Sequence, residues 1–357
     1  MVYVHDIGSG ARPCIAVVIP AYNVADQIER VLTGLPDWID QVIVVNDHSS
    51  DNTAEVLSEL NQPKLRVITR PTNGGVGAAT KTGFREALIG GADIVVKMDG
   101  DDQMDPAQLP ALVMPIVLGK ADYTKGNRFR DRIGLRTMPA LRRVGNLALS
   151  FLTKLASGYW NVFDPTNGYT AIRGDVLRRL RFENIADRYF FEISMLVELN
   201  LANACVKDVS MPSRYGDENS SLRVGGVLAS FPGKLVRATM SRIRDKYFLY
   251  DFSAVSLFLV ASAPLMTIGT VLGAKYWHHS IMSGVPTTAG QVMLAVLPLL
   301  IGFQLLLQAF VIDIGSVPQV SQYGPVRPMR ELGGPEIGAV VVSPSGAEAT
   351  REIGSDG

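Results

Sequence analysis

The sequence predicts an α/β protein with a mainly parallel, Rossmann-like sheet, followed by an amphipathic interfacial helix and two transmembrane helices. Three observations predict it. Short β-branched runs alternate with segments that are apolar at helical spacing through the first hundred residues, the pattern of a parallel sheet with helices on both faces. A polar cluster closes each of those runs. Two long charge-free stretches then follow Tyr247. The implied boundaries are a lead-in over 1–13, the α/β domain over 14–228, a juxtamembrane region over 229–252, a helical hairpin over 253–314 and a disordered tail over 315–357.

Bulk composition narrows the function. The 357 residues carry 34 Lys and Arg against 34 Asp and Glu, so no net field points to nucleic acid. Hydrophobic residues make up 47%, concentrated towards the C-terminal third. Cys14 and Cys205 form neither a disulfide framework nor a metal-ligand pattern. No secretory signal is expected at the N-terminus, because Ile15–Ile19 is too short for one and is bracketed by Pro13 and Pro20.

Taken in order, Ile15–Ile19 reads as a first strand closed by Pro20-Ala21-Tyr22-Asn23, then a helix with Ile28, Val31, Leu32 and Leu35 on one face. Gln41–Val45 is a second strand ending in Asn46-Asp47-His48-Ser49-Ser50-Asp51, and Ser50 or Asp51 suits the cap of the next helix. Leu65–Ile68 is a third strand. Asn73-Gly74-Gly75-Val76-Gly77 leads from it into a helix, a placement that suits backbone N–H groups facing a diphosphate or plain turn chemistry. Ala92–Val96 is a fourth strand, stopped by Asp99-Gly100-Asp101-Asp102-Gln103-Met104-Asp105.

That acidic turn is the centre of the reading. Four aspartates within seven positions repel unless a cation sits among them, and oxygen ligands of this kind suit Mg²⁺ or Mn²⁺ with phosphate oxygens completing the shell. In doubly wound sheets ligands bind at the carboxyl ends of the strands. Tyr22-Asn23, Asp47, Asn73–Gly77 and Asp99–Gln103 all fall there, so polar groups from four strand ends meet on one rim.

Beyond the turn, Ala121–Thr124 reads as a strand, followed by basic residues from Arg128 to Arg143 suited to an anionic headgroup or to solvent. Asp164 heads a turn, a helix carries Ile193, Leu196 and Leu199, and Val206–Val209 is a late strand before a long polar loop through Arg214 and Ser220. From Phe231 to Tyr250, Lys and Arg alternate with apolar residues and end in aromatics, as on helices lying on anionic lipid. The spans are expected near Ala254–Ala274 and Ala289–Ile312, joined by a short loop holding Trp277, His278 and His279. Basic residues flank the outer ends of the pair, which is expected to place the α/β domain and both termini in the cytoplasm.

With these residues assembled, the chain resembles the inverting family-two glycosyltransferases of GT-A fold, and within them the polyprenol-phosphate hexosyltransferases that include dolichol-phosphate mannose synthase. The likeness covers about residues 14–225 in detail and the paired helices in architecture. It implies that Val18–Asn23 is the nucleotide-contacting turn, with Pro20, Tyr22 and Asn23 at the donor, and that Asp47 contacts the base. Asn73, Gly75 and Gly77 join the donor site, and Asp99, Asp101 and Gln103 face the metal and diphosphate. Asp164 stands near the acceptor, Arg128 and Arg214 face phosphates, and Ser220 belongs to the same site. The pattern departs from the family at Val24 and Ala25, where acids are usual, at His48 in place of a glycine, and at Ser221 in place of a lysine. The implied reaction moves a hexose from a nucleotide-sugar donor to a polyprenyl phosphate beside a lipid bilayer, with Mg²⁺ or Mn²⁺ as cofactor. A homo-oligomer is compatible with the sequence. The alternatives are transfer to another lipid or glycan hydroxyl, which needs a base, and a catalytically silent membrane scaffold.

Overall fold

The computed structural model describes residues 13–60, 62–127, 140–211 and 224–326. Seven strands form one sheet: β1 (Ile15–Ala21), β2 (Gln41–Asn46), β3 (Leu65–Thr69), β4 (Ile94–Lys97), β5 (Tyr123–Asn127), β6 (Thr170–Arg173) and β7 (Val206–Ser210), in the order β3-β2-β1-β4-β6-β5-β7. Neighbours are parallel except around β6, which runs against both β4 and β5. The sheet is therefore mixed and mostly parallel. Its antiparallel member, four residues long, carried too little pattern to be predicted.

Both faces are covered because β1 alternates. Val17 and Ile19 pack with α1 (Ile28–Thr33), α2 (Thr53–Glu59) and α4 (Leu109–Val117) through Val31, Leu57, Leu112 and Ile116. Ala16 and Val18 point the other way, towards α3 (Val76–Ile89) and α7 (Phe191–Leu201) through Phe84, Leu196 and Leu199. Between these lie α5 (Ala140–Ser157) and α6 (Gly174–Leu177), neither predicted. The start of α5, Ala140-Leu141-Arg142-Arg143, lay inside the run taken as a basic stretch. Cys14 and Cys205 form no disulfide.

The C-terminal part begins with α8 (Val224–Arg244), which runs into a π-helical turn over Asp245–Tyr250. Two helices follow, α9 (Ala254–Ser283) and α10 (Ala289–Gly315), both long and apolar enough to cross a membrane. Small residues let them approach. A Cβ on Gly269 would lie 2.7 Å from the Ala295 carbonyl, and one on Gly302 would lie 3.0 Å from that of Ser262. Their outer faces expose Leu257, Val260, Val271, Leu294, Leu300 and Phe303, a surface too apolar and continuous for water. Trp277, His278 and His279 ride on the last turns of α9 and are not in the connection. That connection is 284–288, opened by Gly284 at φ +67 and closed by the Thr288–Gln291 capping box.

The expected disordered tail does not begin at 315. Residues 316–326 lie against the α/β domain at the end of the sheet opposite the rim. The Ser321 hydroxyl donates to the Asp122 carboxylate, and Arg173 Nη1 donates to the Gly324 carbonyl at 2.7 Å. Arg173 and Arg179 approach the Tyr323 ring at 4.8 and 5.3 Å from its centroid. Residues 327–357 lie outside the described part. Two cation–π contacts at about 0.5–1 kcal/mol each predict that Tyr323→Ala lowers the apparent melting temperature by a few degrees. Thermal unfolding of the full chain in detergent checks this, and an unchanged midpoint would show that the segment merely rests on the domain.

Candidate active site

The strand order turns back at β1, which has β2 on one side and β4 on the other, and a cleft opens there beyond the carboxyl ends of β1, β2 and β4. Its volume is about 620 Å³, and its walls include Pro20, Tyr22, Asp47, Asn73, Gly75, Asp99 and Asp101. Seven of the residues singled out from sequence therefore meet in one space. Tyr22 is half exposed at its mouth. Asn23 is not part of the wall. At φ +54, its side-chain oxygen accepts the Ser50 N–H at 2.8 Å, tying the β1 turn to the β2 turn. His48 sits at φ +59, the backbone region that the family's glycine adopts freely. Asp51 secures the start of α2: its carboxylate accepts from Thr53 and Ala25. Burial opposes its ionised form, yet these hydrogen bonds prevail and its pKa lies below the usual value.

Two roles were open to the glycine loop, backbone amides towards a diphosphate and plain turn chemistry. Asp47 is buried, and its carboxylate accepts from Arg70, from Gly74 N–H at 3.1 Å and from Gly75 N–H at 2.6 Å. The amides of Gly74 and Gly75 thus serve the turn: they face a protein carboxylate, which holds the loop against the cleft. Gly75, at φ +95, has Asp187 and Arg188 packed where a side chain would begin, and Gly77 packs directly under Ala186. Gly77 thus serves helix packing and does not line the cleft. Asp47→Asn is expected to raise the donor KM about tenfold with little change in kcat, because charge-assisted bonds that shape the loop are lost. Initial-rate kinetics over donor concentration would read this directly.

On the acidic turn, Asp99 and Asp101 enter the cleft while the other two aspartates do not. Asp102, at φ +59, pairs with Arg30 at 3.1 Å, and Asp105 caps a 3-10 turn by accepting Ala107 N–H. Gln103 is exposed and touches Asp101 only by its backbone N–H, at 3.2 Å. Burial, and then the charge of Asp99, push the Asp101 carboxyl above its usual pKa. Among the described residues no group of three or more His, Cys, Asp or Glu is placed to hold an ion. Two oxygen donors facing a cleft fit a hard divalent cation that takes the rest of its shell from substrate phosphates.

A family model described as Glycosyl transferase family 2 matches residues 16–181. Over 194 residues the chain is 35% identical to the UDP-N-acetylglucosamine--dolichyl-phosphate N-acetylglucosaminyltransferase of Methanococcus voltae, an alignment covering 50% of this chain and 77% of that protein. The chain belongs to glycosyl transferase family 2. This glycosyltransferase is also 32% identical over 186 residues to the undecaprenyl-phosphate mannosyltransferase of Micrococcus luteus, covering 51% of this chain and 75% of that one. Among solved structures, glucosyl-3-phosphoglycerate synthase from Mycobacterium tuberculosis, crystallised with Mn²⁺, UDP-glucose and phosphoglyceric acid, has a TM-score of 0.49 at 24% identity. That match covers 64% of this chain and 79% of that one.

The sheet of the glycosyltransferase is the GT-A arrangement, and its β6 side adds groups that the sequence did not flag. Arg188 and Tyr189 complete the cleft wall, and no periodicity or motif marked them. Asp164 is fully buried beneath the rim, where its Oδ1 accepts the Thr166 hydroxyl at 3.3 Å. The turn it heads is held by Lys125, whose ammonium donates to the Asn167 carbonyl. Burial brings the Lys125 pKa down to about 8, although Glu192 and Asp164 oppose the shift. Arg128, Arg214 and Ser220 lie outside the described residues.

Proposed function

We propose that this glycosyltransferase moves a hexose from a nucleoside-diphosphate sugar to a polyprenyl phosphate at a membrane surface, with inversion. The observation that carries the reading is the pair Asp99 and Asp101 on the floor of a strand-end cleft, in a chain whose catalytic domain is fastened to an apolar helical hairpin. The names of the relatives from Methanococcus voltae and Micrococcus luteus support the acceptor class.

In this reading Asp99 and Asp101 hold Mg²⁺ or Mn²⁺, with Gln103 on the same turn. Such an ion, when bound, offsets the charge that develops on the departing diphosphate. Pro20, Tyr22 and the loop shaped by Asp47 position the nucleoside, and Arg188 and Tyr189 close the cleft's far wall. An oxygen of the acceptor phosphate attacks the anomeric carbon as the bond to the diphosphate oxygen breaks on the opposite face. A phosphate monoester is largely ionised at neutral pH, so Asp164 orients the acceptor turn and abstracts no proton. α9 and α10 span the bilayer, α8 lies along its surface, and the catalytic domain and both termini face the cytoplasm.

The test incubates the purified full chain in detergent with UDP- and GDP-sugars, Mg²⁺ or Mn²⁺, and undecaprenyl or dolichyl phosphate, read by mass spectrometry. A lipid-phosphate-linked hexose that disappears on chelation is expected. Sugar transfer to hydroxyl acceptors alone would overturn the reading.

A further inference from the structure

Lys97 breaks the apolar run of β4 at its last position and is almost fully buried, at 1% exposure. Burying an ammonium is costly unless oxygens surround it. Lys97 Nζ donates to Asp99 Oδ1 at 2.7 Å and to the Gly168 carbonyl at 3.3 Å, and Glu192 Oε1 stands 3.7 Å away as a second ion-pair partner. Lys97 ends β4 and Asp99 follows two residues later, so the lysine reaches the carboxylate at the point where the strand gives way to the turn. Gly168 closes over the pair: a Cβ there would sit 2.6 Å from both Asp99 Oδ2 and Lys97 Nζ. A packing role alone would be met by another β-branched residue, as at Ile94, Val95 and Val96.

We infer that Lys97 is a positioning residue for Asp99, occupying one of its carboxylate oxygens and offsetting the turn's charge so that a divalent cation binds well only together with a nucleoside diphosphate. The inference rests on the metal role proposed above for Asp99 and Asp101. With Oδ1 committed to Lys97, Asp99 offers a cation one oxygen, and a buried positive charge stands behind it. Calcium and magnesium sites weaken as the count of ligand charges falls. A diphosphate brings its own negative oxygens and restores the balance, which makes metal and donor arrive as a unit.

The experiment measures Mn²⁺ binding by electron paramagnetic resonance on the full chain in detergent, without nucleotide and with UDP or GDP, for wild type, Lys97→Met and the double variant Lys97→Met/Glu192→Gln. Wild type is expected to bind free Mn²⁺ weakly and to tighten on adding one of the nucleotides. Lys97→Met should bind free Mn²⁺ about tenfold more tightly, the effect of one charge removed at close range, and should lose most of the nucleotide-dependent gain. The double variant removes Lys97 together with its carboxylate partner Glu192 and keeps the net charge constant. Its free Mn²⁺ affinity should still rise several-fold, because Asp99 Oδ1 is released. A double variant with wild-type affinity in both nucleotide states would overturn the positioning role. Absence of Mn²⁺ binding to wild type with either nucleotide would instead overturn the metal reading itself, a distinguishable failure.

Discussion

Asp101→Ala is expected to lower kcat by about a thousandfold while leaving the fold intact. Removing one group that stabilises developing charge costs 10²–10³ in comparable sites, and here only Asp99 and Asp101 of the acidic turn face the cleft. In the metal reading proposed above, losing Asp101 removes one of the two carboxylates that would hold the cation. The same variant relieves a strain, since Asp101 is held above its ordinary pKa by burial and by Asp99. Its melting temperature should therefore stay level or rise. Chelation of wild type should reproduce the loss of turnover. Single-turnover assays at saturating donor, paired with thermal unfolding, separate the two effects. A variant keeping more than about a tenth of wild-type turnover would remove the acidic turn from the chemistry, whatever its stability.

The parallel half of the sheet was legible because β1, β2 and β4 are buried on both faces and read as unbroken β-branched runs. Their ends had to carry the polar residues, so the rim could be located by counting from each run. What the pattern did not carry was the partner of each polar group. Asp47 looks equally suited to a base or to backbone amides, and only the close return of Gly74 and Gly75 shows where its oxygens are spent. Lys97 falls one residue past the predicted Ala92–Val96 strand, and its burial depends on Gly168 and Glu192, which lie far away in the sequence. β6 and the 316–326 segment share a different cause. Each is short, and each is fixed by long-range contacts such as Lys97 opposite Thr170 or Ser321 with Asp122, which no local window contains.

The second large effect is expected at the junction between the catalytic domain and the hairpin. Arg242 on α8 is fully buried and pairs twice with Asp313 near the end of α10, both bonds at 2.8 Å, while also donating to the Leu155 carbonyl on α5. Tyr247 donates to the same carboxylate at 2.6 Å. Three elements thus meet on one guanidinium. Arg242→Ala or Asp313→Ala should each destabilise the junction by about 3–5 kcal/mol, because each strands a buried partner. The double variant Arg242→Met/Asp313→Leu should recover most of that loss, since a buried ion pair is weak as a source of net stability and Arg242 Nε finds no partner among the described residues. In the membrane reading proposed above, geometry is what the pair supplies: it would set the height of the cleft above the membrane plane. In liposomes the single variants should therefore raise the KM for the lipid acceptor well above that for the donor, and the double variant should regain stability faster than acceptor KM. If all three variants show the wild-type acceptor KM in liposomes, the junction holds the chain together without aiming the site.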